Sequence, residues 1–227
     1  MQAGVLPTGT GAAPRLCSDR GDQRVRARTA VLGGAAAVLG VALYWRRNPS
    51  ACPYSQRFWV EAPHPLITRA RLREILEPVP GEHVLEVGPG TGYYTLPVAE
   101  WLGPEGGLDV FDLQQEMLDH TLRRAGEQGL ANITATRGDA QELPHGDAAF
   151  DAAYLVTVLG EIPDQAAALA ELRRVLKPGG RLVVGELFGD PHMVTAGALR
   201  ERAEAAGLRF ERQVGGKLGY FARFAAP

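Results

Sequence analysis

The seven residues Glu86–Gly92 (EVGPGTG) constrain this chain more than any other stretch. They close a strand-like run, His83–Gly88 (HVLEVG), and lead into a run of helical periodicity. Glycines at 88, 90 and 92 let the backbone turn sharply and approach a ligand with no Cβ in the way. The N-terminus of the helix that follows offers free N–H groups to a carboxylate. Such a loop suits a nucleotide-type cofactor, and also suits a plain tight turn from strand to helix, so the spacing of the other motifs has to decide.

From Pro63 onward, short helical and strand-like stretches alternate, separated by Gly and Pro, as in an α/β fold with a parallel sheet. The strand-like runs after the first are Leu108–Leu113, Ile133–Arg137, Phe150–Val156 and Arg181–Leu187. Helices are expected over Leu66–Leu76, Thr91–Leu102, Gln114–Gln128, Pro163–Leu176 and Met193–Ala206, the fourth stopping at a Lys177-Pro178-Gly179-Gly180 turn. Two last strands, Arg209–Val214 and Tyr220–Phe224, flank a Gly-rich connection short enough to force antiparallel pairing. The expected fold is therefore Rossmann-like: a seven-stranded, mostly parallel sheet with the last strand antiparallel and helices on both faces.

Asp112 ends the second strand, twenty residues after Gly92, where a carboxylate can accept hydrogen bonds from both hydroxyls of a ribose. Capping the helix Gln114–Gln128 is a compatible second role. A dinucleotide dehydrogenase would use the same acid but space its glycines G-x-G-x-x-G, whereas position 93 here is Tyr.

Taken together, VLEVGPGTGYYT, FDLQQEML, RGDAQELPHGDAAFDAAYL and ELRRVLKPGGRLVVGE resemble, in this order and spacing, the motifs of the class I methyltransferases related to the ubiquinone/menaquinone C-methyltransferases. The resemblance covers about Pro63 to Phe224 and implies S-adenosylmethionine as cofactor. It implies that Glu86, Gly88, Gly90 and Gly92 belong to the loop around the methionine part, and that Asp112 holds the ribose. Asp139 and the Ala140 backbone would meet the adenine amino group, with Leu113 and Met117 as apolar flanks of the ring.

The acceptor is less legible. Methyl transfer from a sulfonium is an in-line displacement, in which alignment and desolvation can supply most of the acceleration; a base is needed only where the acceptor must lose a proton. Candidates beyond the carboxyl ends of the strands are Thr157, Glu161, Glu186, Asp190 and His192, with His64 before the first helix. His192 and Glu186 are the expected catalytic pair, although a loop His that caps Met193–Ala206 and a carboxylate that braces neighbouring loops are the plainer roles.

A net charge of −2 among 24 basic and 26 acidic residues gives no field to gather phosphate backbones, so no nucleic-acid partner is expected. The loop after the fourth strand also lacks the Asn/Asp-Pro-Pro-Tyr/Phe pattern of nucleic-acid amino-methyltransferases. Cys17 and Cys52, the only cysteines, both precede the domain, so no multi-cysteine metal site is expected there.

Residues 1–28 read as a disordered basic tail and 48–62 as a linker to the domain 63–227. Between them, Thr29–Trp45 carries no charge; at about 1.5 Å per residue it spans roughly 25 Å, slightly short of the ~30 Å hydrocarbon core. Arginines flank it, so residues 29–47 are expected to form a membrane-anchor helix holding a cytoplasmic catalytic domain, against the rival readings of a signal-peptide core or a helix lying on the domain. An anchor beside a pocket completed by residues 48–65 suggests a small or lipid-like, hydrophobic acceptor.

Overall fold

The computed structural model describes residues 40, 44, 50–56, 58 and 64–227. The tail and anchor expected over 1–47 lie outside these apart from Gly40 and Tyr44. Among the described residues no helix is long and apolar enough to cross a membrane.

Seven strands form one sheet: β1 (His83–Val87), β2 (Gly107–Asp112), β3 (Ile133–Arg137), β4 (Phe150–Val156), β5 (Leu176–Leu187), β6 (Arg209–Gly216) and β7 (Gly219–Ala225). Their order across the sheet is β3-β2-β1-β4-β5-β7-β6, and β7 alone runs against the others, as expected. Side chains alternate between the two faces, so consecutive residues of β4 feed different cores: Ala153 and Leu155 enter one, Ala152, Tyr154 and Val156 the other. The central strands are buried on both faces and read as continuous apolar runs rather than alternating ones.

Five helices cover the faces: α1 (Arg69–Leu76), α2 (Thr95–Leu102), α3 (Gln115–Glu127), α4 (Gln165–Val175) and α5 (Ala196–Ala205). α1, α2 and α3 contribute Leu72, Val98 and Leu118 to the second core, whereas α4 and α5 contribute Leu169 and Leu199 to the first. The caps fix where three of them begin: the side chains of Thr68, Asp164 and Thr195 accept the backbone N–H of Arg71, Ala167 and Ala198. α2 has no such cap and starts at Thr95, four residues later than the sequence suggests, because Thr91–Tyr94 are spent in turns.

The expected Lys177–Gly180 turn lies inside β5. Phe150 pairs with Leu176 and Ala152 next with Arg181, so the four residues bulge out between two paired stretches. Just beyond them, Arg181 closes the lower edge of the fold: its guanidinium meets Glu82 and the carbonyls of Leu76 and Glu77 at the end of α1.

At the opposite edge, the loops after β4 and β5 are pressed together at Gly160, where a Cβ would stand 1.8 Å from the His192 carbonyl oxygen. No rotamer change relieves a clash with backbone. We expect Gly160→Ala to cost about 1–3 kcal/mol of folding stability with an unchanged urea m-value. Equilibrium denaturation reading no loss would show that the two loops part freely.

Candidate functional site

The sheet reverses its winding between β1 and β4, and the loops leaving those two strands diverge, opening a crevice at the carboxyl ends. Gly88, Gly90 and Gly92 all have positive φ (71°, 55° and 84°), so all three loop glycines are required by the backbone itself. At Gly88 a Cβ would also fall 2.3 Å from Val158 Cγ2 on the opposite loop. From outside, α3 pins the loop: the Thr121 hydroxyl donates to the Gly90 carbonyl at 3.0 Å and Arg124 to the Thr91 carbonyl at 2.6 Å.

A cavity of about 330 Å³ occupies the crevice, within the range of small-molecule sites. Its floor and walls come from Val87, Gly88 and Gly90 after β1, from Phe111 to Gln114 with Met117 after β2, and from Gly138 to Gln141 after β3. Val156, Thr157, Val158, Glu161, Ile162 and Pro163 complete it after β4. Ser50, Ala51 and Cys52 border it too, so part of the expected linker is wall. Gln114 holds that segment by both ends of its amide: Nε2 donates to the Cys52 carbonyl at 2.9 Å, and Oε1 accepts the Tyr54 N–H at 3.1 Å.

Asp112 stands at the end of β2 with one oxygen accepting the Gln114 N–H at 2.8 Å. This bond makes a turn ahead of α3 rather than a helix cap, since the cap position is Gln114. Burial pushes the Asp112 carboxyl up to about 6 despite the N–H groups of Gln114 and Leu113. Across the cavity Leu113 is 55% exposed while Met117 is buried, an apolar pair on one wall with one side open. Asp139 takes the side-chain amide of Gln141, which in turn accepts the Asp164 N–H and so links the β3 loop to the start of α4.

On the β4 side, Thr157 has φ 56°, a strained conformation for a β-branched residue, and faces the cavity. Glu161 follows in a short 3₁₀ turn, Leu159–Glu161. Its Oε2 accepts the Cys52 N–H at 3.3 Å, and burial together with the charge of Asp190 raises its carboxyl to about 8.

Of the residues expected at the site, Gly88, Gly90, Asp112, Leu113, Met117, Asp139 and Ala140 border the cavity. Glu86 and Gly92 do not. Glu86 is buried behind the loop, where its carboxylate accepts the Thr95 hydroxyl at 2.5 Å; Gly92 packs against Thr121 and Leu96. The expected catalytic pair is not in the wall either. Glu186 is 1% exposed and accepts the Val194 N–H at 3.2 Å, the bracing role; the His192 ring lies 4.0 Å from Asp190. His64 packs against Tyr93 with the two rings tilted by 56°, outside the cavity. The wall acid among the candidates is Glu161, which a glycine before and a proline two residues after made look like ordinary loop.

Residues 84–180 match the model of a family described as a methyltransferase domain. The chain is 39% identical over 113 residues to the ubiquinone/menaquinone biosynthesis C-methyltransferase UbiE of Teredinibacter turnerae, covering 49% of this chain and 45% of that protein. It is 37% identical over 116 residues to the O-methyltransferase cnsE of Penicillium expansum, covering 51% and 41%. The chain thus spans less than half the length of these relatives. Among solved structures, a SAM-dependent methyltransferase from Aquifex aeolicus superposes with TM-score 0.72 at 21% identity, over 78% of this chain and all of that one. The [4+2]-cyclase SpnF superposes with TM-score 0.63 at 23% identity, over 70% and 79%.

Burial raises Glu86 to about 7 and both Glu161 and Glu186 to about 8. Above their unfolded values near 4.5, the folded chain therefore holds protons that the unfolded chain has released, and its stability falls as pH rises through the folded values. We expect the ligand-free protein to gain on the order of 2–4 kcal/mol between about pH 8.5 and 6.5. Below about 6.5 the gain is opposed by His145, whose pKa burial lowers. Urea denaturation at three pH values checks this, and a stability flat across the interval would mean that the carboxyls are ionised and solvated.

Proposed function

We propose that this chain is a class I S-adenosylmethionine-dependent methyltransferase related to the ubiquinone/menaquinone C-methyltransferases, and that it moves the sulfonium methyl to a small-molecule acceptor. One observation carries this reading: every cavity-bordering residue from Val87 to Pro163 lies within the matched segment 84–180. The fold alone would not suffice, since a [4+2]-cyclase shares it.

Seven of the nine residues expected around the cofactor border the cavity, which supports this reading. Gly88 and Gly90 would receive the methionine part along bare backbone. Asp112 would take the ribose hydroxyls on the lone pairs that the Gln114 N–H leaves available. Met117 and Leu113 would flank the adenine ring, and the exposure of Leu113 is explained if a ring covers it. Asp139 and the Ala140 backbone would meet the adenine amino group. Glu86 would act indirectly, holding the start of α2 through Thr95. The bound sulfonium supplies an electrophilic methyl group, and what the protein adds is a dry, aligned approach to it from the β4 side. Ser50–Cys52, outside the matched segment, also border the cavity.

Asp112→Ala is expected to weaken S-adenosylmethionine binding more than tenfold in titration calorimetry, two hydrogen bonds to a charged acceptor contributing roughly 1.5–3 kcal/mol each. An unchanged Kd would place the ribose elsewhere. Incubation with methyl-labelled S-adenosylmethionine and a cell metabolite extract should put label into one extractable product. A product rearranged but unlabelled would instead identify a non-methylating enzyme of the same fold.

A further inference from the structure

We propose that Gln114 is a positioning residue for the cofactor: its side-chain amide holds residues 50–54 as a strap across the mouth of the crevice, and this strap sets how long S-adenosylmethionine stays bound. The proposal rests on the methyl-transfer reading and deepens it.

The first observation is a side chain turned away from its local task. Gln114 occupies the cap position of α3 with an extended backbone, φ −103° and ψ 115°, yet its side chain makes no bond to the helix. Thr68, Asp164 and Thr195 hold the same position ahead of α1, α4 and α5, and each of them caps. Ser, Thr, Asp and Asn are the side chains that suit this position, and Gln is not among them. What the longer side chain offers instead is reach. Its Nε2 donates to the Cys52 carbonyl at 2.9 Å and its Oε1 accepts the Tyr54 N–H at 3.1 Å, partners 62 and 60 positions away in the chain.

The second observation is where the held segment lies. Ser50, Ala51 and Cys52 border the cavity. Cys52 is held from both walls, its carbonyl by Gln114 after β2 and its N–H by Glu161 after β4 at 3.3 Å. Since β1 lies between those two strands, Cys52 bridges the walls on either side of the glycine loop. The attachments are unequal. Glu161 gives a single bond at the long end of the normal range. On the α3 side Gln114 gives two, and the Tyr54 hydroxyl adds a hydrogen bond of 3.0 Å with His120 Nδ1, the two rings meeting edge-on at 5.9 Å. The α3 end is therefore the fixed one, and the strap opens from the β4 wall.

The same turn serves the cofactor. The Gln114 N–H donates at 2.8 Å to Asp112, the acid assigned above to the ribose. The ribose acid and the clip of the strap are thus the two ends of one turn, and a cofactor bound at Asp112 steadies the base from which Gln114 reaches. A shut strap in turn stands between the cofactor and solvent.

The test uses the full chain. Dissociation is followed by chasing labelled S-adenosylmethionine with unlabelled cofactor, and hydrogen exchange of the peptide covering residues 50–56 is compared with and without S-adenosylhomocysteine. In the unaltered chain we expect the ligand to slow exchange of that peptide, because the Cys52 and Tyr54 N–H groups are both bonded in the shut strap. Gln114→Ser supplies a helix cap and removes the clip in one step. It should leave the melting temperature unchanged or raised, speed cofactor dissociation about tenfold, and abolish the ligand's protection of residues 50–56. A merely structural role would move stability and binding in the same direction. Gln114 itself borders the cavity, so a second variant excludes a direct contact: Tyr54 does not border it, and Tyr54→Phe should speed dissociation about threefold. A ligand that binds without slowing exchange of residues 50–56 overturns the proposal and leaves the methyl-transfer reading standing. So does a dissociation rate indifferent to either substitution, or a Gln114→Ser chain that melts lower in step with weaker binding. Failure of the unaltered chain to bind S-adenosylmethionine would remove the reading on which the proposal rests.

Discussion

The approach of Val158 to the bare backbone of Gly88 holds the site together. It joins the loop after β1 to the loop after β4, the two that part at the reversal of winding, and leaves no room for a Cβ between them. Everything else in the cavity is positioned from that seam. On one side the glycine loop is tied back to α3 through Thr121 and Arg124. On the other, the turn carrying Glu161 is fixed against the loop of Asp190 and His192 by the close contact at Gly160. Two glycines, at 88 and 160, thus set the positions of two walls by letting a neighbour approach closely, one admitting a side chain and the other a carbonyl.

Much of this was legible because local chemistry and tertiary role coincide. The seven strands, their order of appearance and the reversed last strand follow from Gly/Pro punctuation and from the short connection between β6 and β7, where chain length alone forces an antiparallel pair. The cavity border was legible at Gly88, Gly90 and Asp112 for a related reason: positive φ at the glycines and an acid at a strand end bring them to the crevice. What sequence could not give was direction. Glu86 and Glu186 are both carboxylates near the ends of central strands, and period-two alternation turns both away from the cavity, toward Thr95 and Val194 respectively. The start of α2 lies beyond Thr91 because Gly92, at φ 84°, still belongs to the loop and the Arg124 bond to the Thr91 carbonyl holds Thr91–Tyr94 in turns.

The segment Ser50–Tyr54 shows a different limit. Its sequence is short, polar at its ends and without period, which is the mark of a linker. Its position comes from Gln114, which satisfies both a carbonyl and an N–H of that segment with one amide, and from Glu161, which takes the Cys52 N–H. These bonds join residues 60 to 109 positions apart, and no local pattern announces them.

Electrostatics ties these strands of argument together. At its lower edge this chain pairs carboxylates with arginines, the half-buried Glu82 with Arg181 and the exposed Glu77 and Glu211 with Arg223. At the carboxyl edge the same chain does the opposite, gathering Asp112, Glu161, Glu186 and Asp190 with no Lys or Arg paired to them among the described residues. Each of these acids accepts a backbone N–H, Asp112 from Gln114, Glu161 from Cys52, Glu186 from Val194 and Asp190 from His192, so the loops of this edge are braced by groups that burial makes costly to ionise. A sulfonium donor carries one compensating charge into the crevice.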